Sequence, residues 1–590
     1  MVRITWVLAL WVSLVASGFA SDDPLVSVGD LKYLAENPTG GKITHIKYPT
    51  LGCASILKPG DSGTAWIWIN DAGSSTQFDL SLLPTLGNLS TSYDLPVTGF
   101  FFDTVYSVYK VSYLVPANIP PDMYNFQASI PSQSIVDIQY NSVRIVSEET
   151  GTYTFIVVAD PQFNDPRGLM EPANYSTGNY DAYSIVEQMK KEIRALNPTY
   201  VIMLGDVTFG LDYEYEYQGA WEMWKDAGFP IFMTPGNHDG MATIEDRTFL
   251  GIGSPKRDGL EDWRKYFGPN FYSFEFGGIH LQAVNSFDGT PERRDSFLIV
   301  NENHGGDLSV EQMDWIAADM ATAQGTVVPF MHHSPLGPYR ENGTFGMFSW
   351  ILQRIWDFIT TGSFDDFSQT WNSQATADWM LQQYSVLPTV FIGHNHSDNI
   401  KQYNNTSYRI VTTAGSSGEY WGYTVVTVEN QNIVDTIYMD QDFMSIPTGN
   451  LHVVHLDPNP HAPEVREAEV RSGLSRSYPV TLEFRMPTAQ AYVATNGTVL
   501  SHVPLDASLT RVWVEVDSPL ATDIYNPERV LVTVKTSQVQ GSFQSSPGTP
   551  VAGNGGGGCG APLSPGNAQG HLLLLGLPLL VLGFFRRVSR

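Results

Sequence analysis

The fold is decided by PGNHD, residues 235–239, which follows the apolar run FPIFM, residues 229–233. A short strand that ends in a glycine turn presents an amide oxygen from Asn237, an imidazole from His238 and a carboxylate from Asp239. By itself this pattern fits a polar β-turn as well as it fits a binding site. A site requires further residues of this chemical kind at other strand ends, because ligand pockets of α/β sheets form along that edge.

The composition is that of a globular, acidic protein with several domains. Its 590 residues exceed the roughly 100–200 that one domain usually contains, and 42% of them are hydrophobic. The net charge of −28 argues against a nucleic acid as the main partner and favours solubility outside the cell. Cys53 and Cys559 are the chain's two cysteines, and their separation excludes a disulfide framework and a cysteine metal site.

The first 148 residues divide into a signal peptide and a β-rich domain. Residues 1–20 contain Arg3, a short apolar stretch and the cleavage-like sequence GFA, so the mature chain is expected to begin at Ser21. Residues 21–148 contain short apolar or alternating runs that are separated by turn-forming residues. This pattern predicts an antiparallel, immunoglobulin-like β-sandwich.

Residues 149–445 alternate between apolar strands and amphipathic helices. Helical periodicity occurs at residues 185–196, near 218–227, after Ser309 with Gln312 as a capping-box partner, and near 375–384. Continuous apolar runs predict strands buried on both faces, and their alternation with helices predicts an α/β fold in layers. The predicted strands are Tyr153–Ala159, Tyr200–Leu204, Phe229–Met233, Ile279–Val284, Thr326–Met331, Thr389–Ile392, Tyr408–Thr413 and Tyr423–Val428.

The C-terminal region predicts a second β-sandwich, a linker and a hydrophobic tail. Short strands return over residues 446–536, a linker rich in Gly, Ser and Pro covers 537–560, and the tail covers 561–590. The apolar run Leu572–Phe585 is shorter than the roughly 20 residues of a membrane-spanning helix.

The tail has four parts in a fixed order: a glycine run, Cys559, an apolar segment and terminal arginines. In this order it resembles the bacterial C-terminal sorting signals of the Gly-Gly-Cys type. That resemblance implies export, processing near Cys559 and attachment to the cell surface or outer membrane, with the tail as the chain's contact with a membrane. An uncleaved tail anchor and a eukaryotic glycolipid anchor are the alternatives.

Polar residues close five of the predicted strands. A strand-end carboxylate alone is often a helix cap, and a lone histidine is often structural. Repetition at five strand ends favours a shared site instead. The residues are Asp160 and Gln162 in ADPQ, Asp206 in LGDV, Asn237 and His238 in GNHD, His332 and His333 in MHHS, and His394 and His396 in GHNH.

The residue types indicate the chemistry. Carboxylate, carboxamide and imidazole groups without thiolates suit divalent or trivalent first-row metals. Two metals roughly 3.5–4 Å apart clamp an in-line displacement at phosphorus and generate a hydroxide nucleophile near neutral pH.

These blocks, in this order, resemble the calcineurin-like metallophosphoesterases over about residues 150–440. The resemblance implies a four-layer αββα domain, here flanked by two immunoglobulin-like β-sandwiches, and two metal ions (Mn, Fe or Zn). It also implies that Asp206 bridges the metals and that His238 faces the phosphate while Asp239 orients it. The implied ligands are Asp160, Gln162, Asp206 and His396 for one metal, and Asp206, Asn237, His332 or His333, and His394 for the other.

Two positions depart from the commonest family pattern. The family usually has His where Gln162 stands, and a neutral carboxamide oxygen is a weaker ligand. Purple acid phosphatases have a metal-binding Tyr where this chain has Phe209, so an iron–tyrosinate site is not expected. The loops at residues 163–180 and 339–371 are expected to border the metals, with Arg167 or Arg340 as candidates for a phosphate contact.

The predicted function is therefore a secreted or surface-attached phosphoesterase that acts on a small phosphate ester. Monoester, diester, nucleotide and phospholipid substrates all fit the sequence, and the oligomeric state is open. The alternative is a surface adhesion or binding protein that carries a degenerate phosphoesterase domain. A different metallohydrolase using the same site is a third interpretation.

Overall fold

The structure is a computed structural model of the 590-residue chain. It describes residues 22–35, 40–69, 77–86, 91–147, 151–164, 182–210, 212–241, 258–291, 294, 305–336, 371, 373–416, 420–505, 507–522 and 526–537. The expected signal peptide, the linker beyond 537 and the hydrophobic tail lie outside these residues, as do Arg167 and Arg340. Among the described residues, no helix is long and apolar enough to cross a membrane.

The described strands and helices follow one another along the chain with these bounds. They are β1 Leu25–Val28, α1 Leu31–Ala35, β2 Ile46–Tyr48, β3 Ser55–Leu57, β4 Ser62–Ile67, β5 Asp79–Pro84, β6 Tyr93–Leu95, β7 Val97–Asp103, β8 Val108–Leu114, β9 Asp122–Ile130, a 3-10 helix Pro131–Gln133, β10 Ile135–Ile145, β11 Thr152–Val158, α2 Ala182–Leu196, β12 Tyr200–Met203, α3 Tyr213–Trp224, β13 Ile231–Met233, α4 Asn237–Gly240, α5 Gly259–Tyr266, β14 Tyr272–Phe276, β15 Ile279–Val284, α6 Val310–Thr322, β16 Thr326–Met331, α7 Gln374–Tyr384, β17 Thr389–Ile392, β18 Asn399–Tyr403, β19 Thr406–Ile410, β20 Gly422–Glu429, β21 Asn432–Asp435, β22 Ile446–Pro447, β23 Leu451–His455, β24 Val465–Ser472, β25 Pro479–Pro487, β26 Ala491–Thr495, β27 Thr498–Pro504, β28 Leu509–Asp517 and β29 Glu528–Ser537.

Two sheets at the centre of the chain pack face to face. One has the strand order β13-β12-β11-β20-β21, with β22 paired to β20, and the other has the order β1-β14-β15-β16-β17-β19-β18. Side chains from both sheets, including Phe155, Tyr200, Phe274 and Phe330, form one buried core between them.

Successive side chains along a strand point to opposite faces of the sheet. Phe155 and Val157 face the opposite sheet, whereas Ile156 and Val158 pack with apolar residues of α2 and α3. On the other sheet, the outward Met331 packs with residues of α6 and α7. The central region is therefore a four-layer αββα sandwich, which agrees with the α/β layers predicted from the sequence pattern and with the arrangement that the family resemblance implied.

The observed elements match several predictions and correct others. The strands β15, β16 and β17 have the bounds predicted from their apolar runs. Ser309 caps α6 by accepting from the Gln312 backbone N–H, but the Gln312 side chain bonds to the backbone of Asn285 rather than completing a capping box. The helix expected near residues 218–227 begins earlier, because Asp212 caps it through the Tyr215 N–H.

The N-terminal region forms two further sheets around a shared core. Their strand orders are β2-β4-β8-β7 and β3-β10-β9-β5-β6. Ile67 and Tyr113 from the first sheet pack with Phe126 and Val143 from the second. The pairing of two sheets over one core is a β-sandwich.

The first strand does not belong to that sandwich. β1 pairs antiparallel with β14, with Leu25 opposite Phe274 and Val28 opposite Tyr272. The sequence placed residues 21–148 together, but β1 extends the larger central sheet instead. No local pattern marks this difference, since the partner strand lies far downstream in the chain.

The C-terminal strands also form two sheets, and they pack on the central region. The orders are β23-β24-β29-β26 and β25-β28-β27. Their apolar residues are continuous with the core beneath α2, where buried Glu192 accepts the Gly449 N–H at 2.7 Å. The two flanking regions touch each other where Arg511 Nη1 lies 2.6 Å from Asp122 Oδ2.

Candidate metal centre

The predicted site residues follow five strands that end at one edge of the central sandwich. Asp160, Asp206 and Asn237 follow the parallel strands β11, β12 and β13. The two histidine pairs follow β16 and β17, which are parallel in the facing sheet. The carboxyl ends of both sheets thus meet over one cleft, as the topology of α/β sheets requires. The structure brings together all eight predicted metal-site residues: Asp160, Gln162, Asp206, Asn237, His332, His333, His394 and His396.

Asp206 lies at the centre of this cluster. Its Oδ1 accepts the His238 backbone N–H at 2.9 Å, and its Oδ2 accepts Gln162 Nε2 at 2.9 Å and lies 3.3 Å from His332 Nε2. Burial opposes its charge, but the His332 and His238 imidazoles hold the pKa of Asp206 well below its ordinary value. An ionised carboxylate in contact with residues of both candidate metal sites is suited to interact with two cations.

His332 is oriented by a backbone carbonyl. Its Nδ1 lies 2.7 Å from the Leu204 oxygen, and because a carbonyl only accepts, Nδ1 carries the hydrogen. Its Nε2 lies 3.0 Å from Asn237 Oδ1 and 3.1 Å from His394 Nδ1. Although burial lowers it, the carboxylates of Asp206 and Asp160 raise the pKa of His332 to about 9. The site therefore favours positive charge at this point.

The remaining donors fall into two groups. Nitrogen atoms of His332, His333 and His394 lie within 4.8 Å of one another, and so do ligand atoms of Asp160, Asp206 and His396. Asp160 Oδ1 is 3.2 Å from His396 Nε2, while its Oδ2 accepts the His394 N–H at 3.0 Å. The second group contains three of the four ligands that the family resemblance implied for one metal.

His333 also points into the centre, so the structure keeps both adjacent histidines as candidate ligands. Its backbone N–H donates to Ser286 Oγ at 2.8 Å, and its Nδ1 is 2.9 Å from the same hydroxyl. Its ring centroid lies 4.5 Å from that of His394. Ser286 was missed in the sequence, although it too follows the end of a predicted strand.

Five of the candidate ligands adopt left-handed backbone conformations. Such conformations are uncommon for residues with a side chain and persist only where the surroundings impose them, often at functional sites. The φ angles are 52° for Asp160, 40° for Gln162, 52° for Asp206, 72° for His394 and 55° for His396.

Gln162 is held with its amide nitrogen toward Asp206. Its Nε2 donates to Asp206 Oδ2, while its Oε1 accepts from Ser416 Oγ at 2.5 Å. To act as the oxygen ligand that the sequence predicted, the amide has to rotate by half a turn. Ser416 Oγ can accept from the amide nitrogen in that orientation, because a hydroxyl both donates and accepts.

Gly236 is required by a close approach of the chain. Its φ is −102°, which any residue adopts, so the tight turn expected of it is not the reason for glycine. A Cβ here would lie 2.2 Å from Asp206 Oδ1 and 2.5 Å from the Asp206 backbone nitrogen. The absence of a side chain lets the GNHD segment pack directly on the central carboxylate.

His238 and Asp239 have different partners from those the sequence suggested. The Asp239 carboxylate accepts the backbone N–H groups of Gly236, Val207 and Thr208 at 2.9–3.2 Å. Burial and the nearby Asp206 charge raise its pKa to about 7, against the effect of these three donors. Asp239 therefore holds the GNHD turn against the loop after β12. The prediction that Asp239 orients His238 was wrong.

The Phe209 carbonyl orients His238 instead. It accepts from His238 Nδ1 at 2.6 Å, and the Phe209 ring stacks on the imidazole with centroids 5.0 Å apart. His238 Nε2 consequently faces the centre, 3.9 Å from Asp206 Oδ2. Backbone carbonyls such as those of Leu204 and Phe209 carry no signal in a sequence.

The donor set fits divalent or trivalent metal ions. It consists of carboxylate and carboxamide oxygens and imidazole nitrogens, which are borderline and hard ligands. The carbonyl that holds His332 Nδ1 is the outer contact that commonly fixes a metal-binding imidazole.

Comparison with known proteins agrees with this geometry. Residues 153–398 match the family model described as calcineurin-like phosphoesterase. These residues form a calcineurin-like phosphoesterase domain. The family implies metal ions at the centre, and its matched range includes every candidate ligand.

Curated relatives of the phosphoesterase domain are distant. A probable cyclic nucleotide phosphodiesterase of Fibrobacter succinogenes is 22% identical over 174 residues, which are 30% of this chain and 48% of that protein. The mouse serine/threonine-protein phosphatase CPPED1 is 28% identical over 155 residues, 24% of this chain and 44% of that protein. The chain thus spans about half the length of the curated relatives it matches. Among solved structures, that of PhoD covers 78% of this chain and 88% of its own, with 12% identity and a TM-score of 0.31.

Proposed function

We propose that the chain is an exported phosphoric ester hydrolase that uses two metal ions. One observation carries this proposal: Asp206 Oδ2 contacts a side chain from each of the two predicted metal sites, Gln162 Nε2 at 2.9 Å and His332 Nε2 at 3.3 Å. The match to the phosphoesterase family supports the reaction class. The relatives' names, a phosphodiesterase and a phosphatase, make diesters and monoesters the first substrates to test.

The residues would divide between the ions as the family resemblance implies. One ion would be held by Asp160, Gln162, Asp206 and His396. The other would be held by Asp206, Asn237, His394 and His332, with His333 as the alternative to His332. Two ions in such a site polarise the phosphoryl group and lower the pKa of water, which suits in-line displacement at phosphorus.

His238 would act on the substrate rather than on a metal. Its Nδ1 hydrogen is committed to the Phe209 carbonyl, so its Nε2 is the atom that faces the cleft near Asp206. From there, Nε2 would stabilise the phosphoryl charge or protonate the leaving oxygen.

The cellular location is part of the proposal and rests on sequence. The signal-like residues 1–20 and the Gly-Gly-Cys type tail support export and attachment at a bacterial cell surface. The flanking sandwiches would be immunoglobulin-like domains that hold the phosphoesterase domain there. Mass spectrometry of the mature protein should find Ser21 at the N-terminus and a C-terminus near Cys559. An intact chain in the cytoplasm would contradict this.

The central experiment measures metal and turnover on the same sample. The purified chain should contain two metal ions and hydrolyse p-nitrophenyl phosphate or bis-p-nitrophenyl phosphate. Asp206→Asn and His394→Ala should each abolish turnover. Asp212→Asn, the same change at a helix cap that Asn also satisfies, should leave it unchanged. A folded wild-type chain without metal or turnover would favour the binding-protein alternative, and an active Asp206→Asn variant would refute the assignment.

A further inference from the structure

One peptide group beside the metal centre makes a hydrogen bond at each end. Its carbonyl, from Phe209, accepts from His238 Nδ1 at 2.6 Å. Its N–H, from Gly210, donates to Glu216 Oε2 at 2.6 Å. A buried carboxylate is thereby connected to the imidazole through a single planar group.

Glu216 is built into this position. It lies in α3 and is fully buried, and its other oxygen, Oε1, accepts from Asn164 Nδ2 at 3.1 Å. In these two contacts the partners donate, so both carboxylate oxygens act as acceptors. Asn164 follows the first ligand loop and Gly210 follows the second, so Glu216 joins the two loops that carry Asp160 and Asp206.

Gly210 allows this geometry for two reasons. Its φ is +87°, in the left-handed region that glycine adopts without strain. A Cβ would also lie 2.7 Å from the His238 carbonyl oxygen. The loop therefore approaches the GNHD segment closely enough for the Phe209 carbonyl to reach the imidazole.

The Glu216 carboxylate, the Phe209–Gly210 peptide and the His238 imidazole are hydrogen-bonded in this order, so the carboxylate acts on the imidazole through the peptide. A carboxylate that accepts from a peptide N–H polarises the peptide, and its carbonyl oxygen becomes a stronger acceptor. The effect is larger in a buried, low-dielectric setting than in water. The hydrogen bond from His238 Nδ1–H to the Phe209 carbonyl is therefore strengthened. This hydrogen bond holds the ring in one orientation and keeps Nε2 toward Asp206.

We propose that Glu216 is a positioning residue for His238 and acts through the Phe209–Gly210 peptide. Its catalytic consequence rests on the proposed phosphoesterase function, whereas the polarised hydrogen bond exists regardless of function. This assigns to Glu216 the effect on the imidazole that the adjacent Asp239 does not supply.

The first test measures the hydrogen bond itself by NMR on protein labelled with 15N-histidine. The His238 Nδ1–H proton, assigned by its loss in His238→Ala, should resonate downfield in the wild type. It should move upfield in Glu216→Gln, which keeps an acceptor of the same size but removes the charge. Glu216→Asp, which keeps the charge at a greater distance, should give a smaller shift.

Glu192→Gln is the matched control. Glu192 is also a buried glutamate in a helix, and it also accepts a backbone N–H, from Gly449 at 2.7 Å. Its substitution should leave the His238 resonance in place. An unchanged resonance in folded Glu216→Gln, or an equal shift in Glu192→Gln, would overturn the proposal whether or not the chain hydrolyses esters.

The second test asks whether the effect on turnover passes through His238. Glu216→Gln should lower kcat by roughly 10-fold, a part of the 10²–10⁴-fold that general acid catalysis contributes, with KM and metal content unchanged. The loss should be greater for phenyl phosphate than for p-nitrophenyl phosphate, because the poorer leaving group depends more on protonation.

A double-mutant cycle separates a positioning role from a general structural one. In the His238→Ala background, Glu216→Gln should have almost no further effect on kcat. Additive losses would overturn the proposal. A wild type without turnover would instead reject the proposed function, and the NMR result would still decide the role of Glu216.

Discussion

Replacement of Gly236 by alanine is a direct test of how the centre is assembled. A Cβ at this position would lie 2.2 Å from Asp206 Oδ1 and 2.5 Å from the Asp206 backbone nitrogen. Real Cβ atoms essentially never approach other heavy atoms within 3.0 Å, so the contact with Oδ1 must lengthen by at least 0.8 Å, the difference between 3.0 and 2.2 Å. Because one of the two atoms is backbone, rotation of the Asp206 side chain cannot relieve the clash.

The size of the effect follows from this displacement. Overpacking of a close-packed site typically costs about 1–3 kcal/mol of unfolding free energy. A shift of about 1 Å in a group that positions the reaction can cost roughly 100-fold in rate. Gly236→Ala should therefore lower kcat/KM by about 100-fold and reduce the metal content, since Asp206 is the proposed bridging ligand.

The assay compares kcat/KM for p-nitrophenyl phosphate with metal content measured by mass spectrometry. Gly151→Ala is the control, because a Cβ there would meet Asn430 Oδ1 at an ordinary 3.5 Å. It should keep both metals and full activity. A Gly236→Ala variant with wild-type kcat/KM and two metals would refute the argument that close approach explains this glycine.

Three further predictions concern pH, domain contacts and metal. Burial lowers the pKa of His280, but the hydrogen bonds that its ring donates to the Asp319 and Glu275 carboxylates raise that pKa above 6.5. The contribution of this pair to stability is therefore complete below about pH 6.5 and is lost as pH rises through the raised pKa. The fall in thermal midpoint above pH 6.5 should shrink in Asp319→Asn. Arg511→Met leaves Asp122 without its partner at 2.6 Å and should lower the free energy of unfolding in urea by about 3 kcal/mol. The same change at Arg529, which is 54% exposed, should lower it by less than about 1 kcal/mol. Equal costs would contradict the argument that the two arginines differ in burial. Chelation by EDTA should abolish hydrolysis and lower the melting temperature, because a metal ion that binds the folded state stabilises it. Addition of Mn²⁺ or Zn²⁺ should restore both the activity and the melting temperature. Full activity in EDTA would argue against a metal centre.

The fold was predictable where the pattern is local. Apolar runs identified β15, β16 and β17 with their observed bounds, because strands buried on both faces have no polar position to interrupt them. The same reasoning failed for β1, whose assignment depends on its pairing with β14. Pairing between distant strands depends on the packed sheet and leaves no periodic mark in either strand.

The candidate site was predictable in its members and less so in their roles. Strand-end position and residue type selected Asp206 and its neighbours, because parallel strands deliver their carboxyl ends to one edge. The role of Asp239 was wrong, since adjacency to His238 in the chain does not determine which way a carboxylate turns. The structure directs it to the N–H groups of Gly236, Val207 and Thr208.

PGNHD, by its sequence alone, determined that an amide, an imidazole and a carboxylate follow a buried strand. Together with the other strand ends, it determined the family resemblance and the metal-ligand chemistry. Only the tertiary structure decided which atoms meet: the Phe209 carbonyl at His238, Glu216 behind that peptide, and Gly236 against Asp206. The reason is physical. Residue type fixes what a group can donate or accept, whereas its partner depends on backbone orientation and on loops that converge from distant parts of the chain.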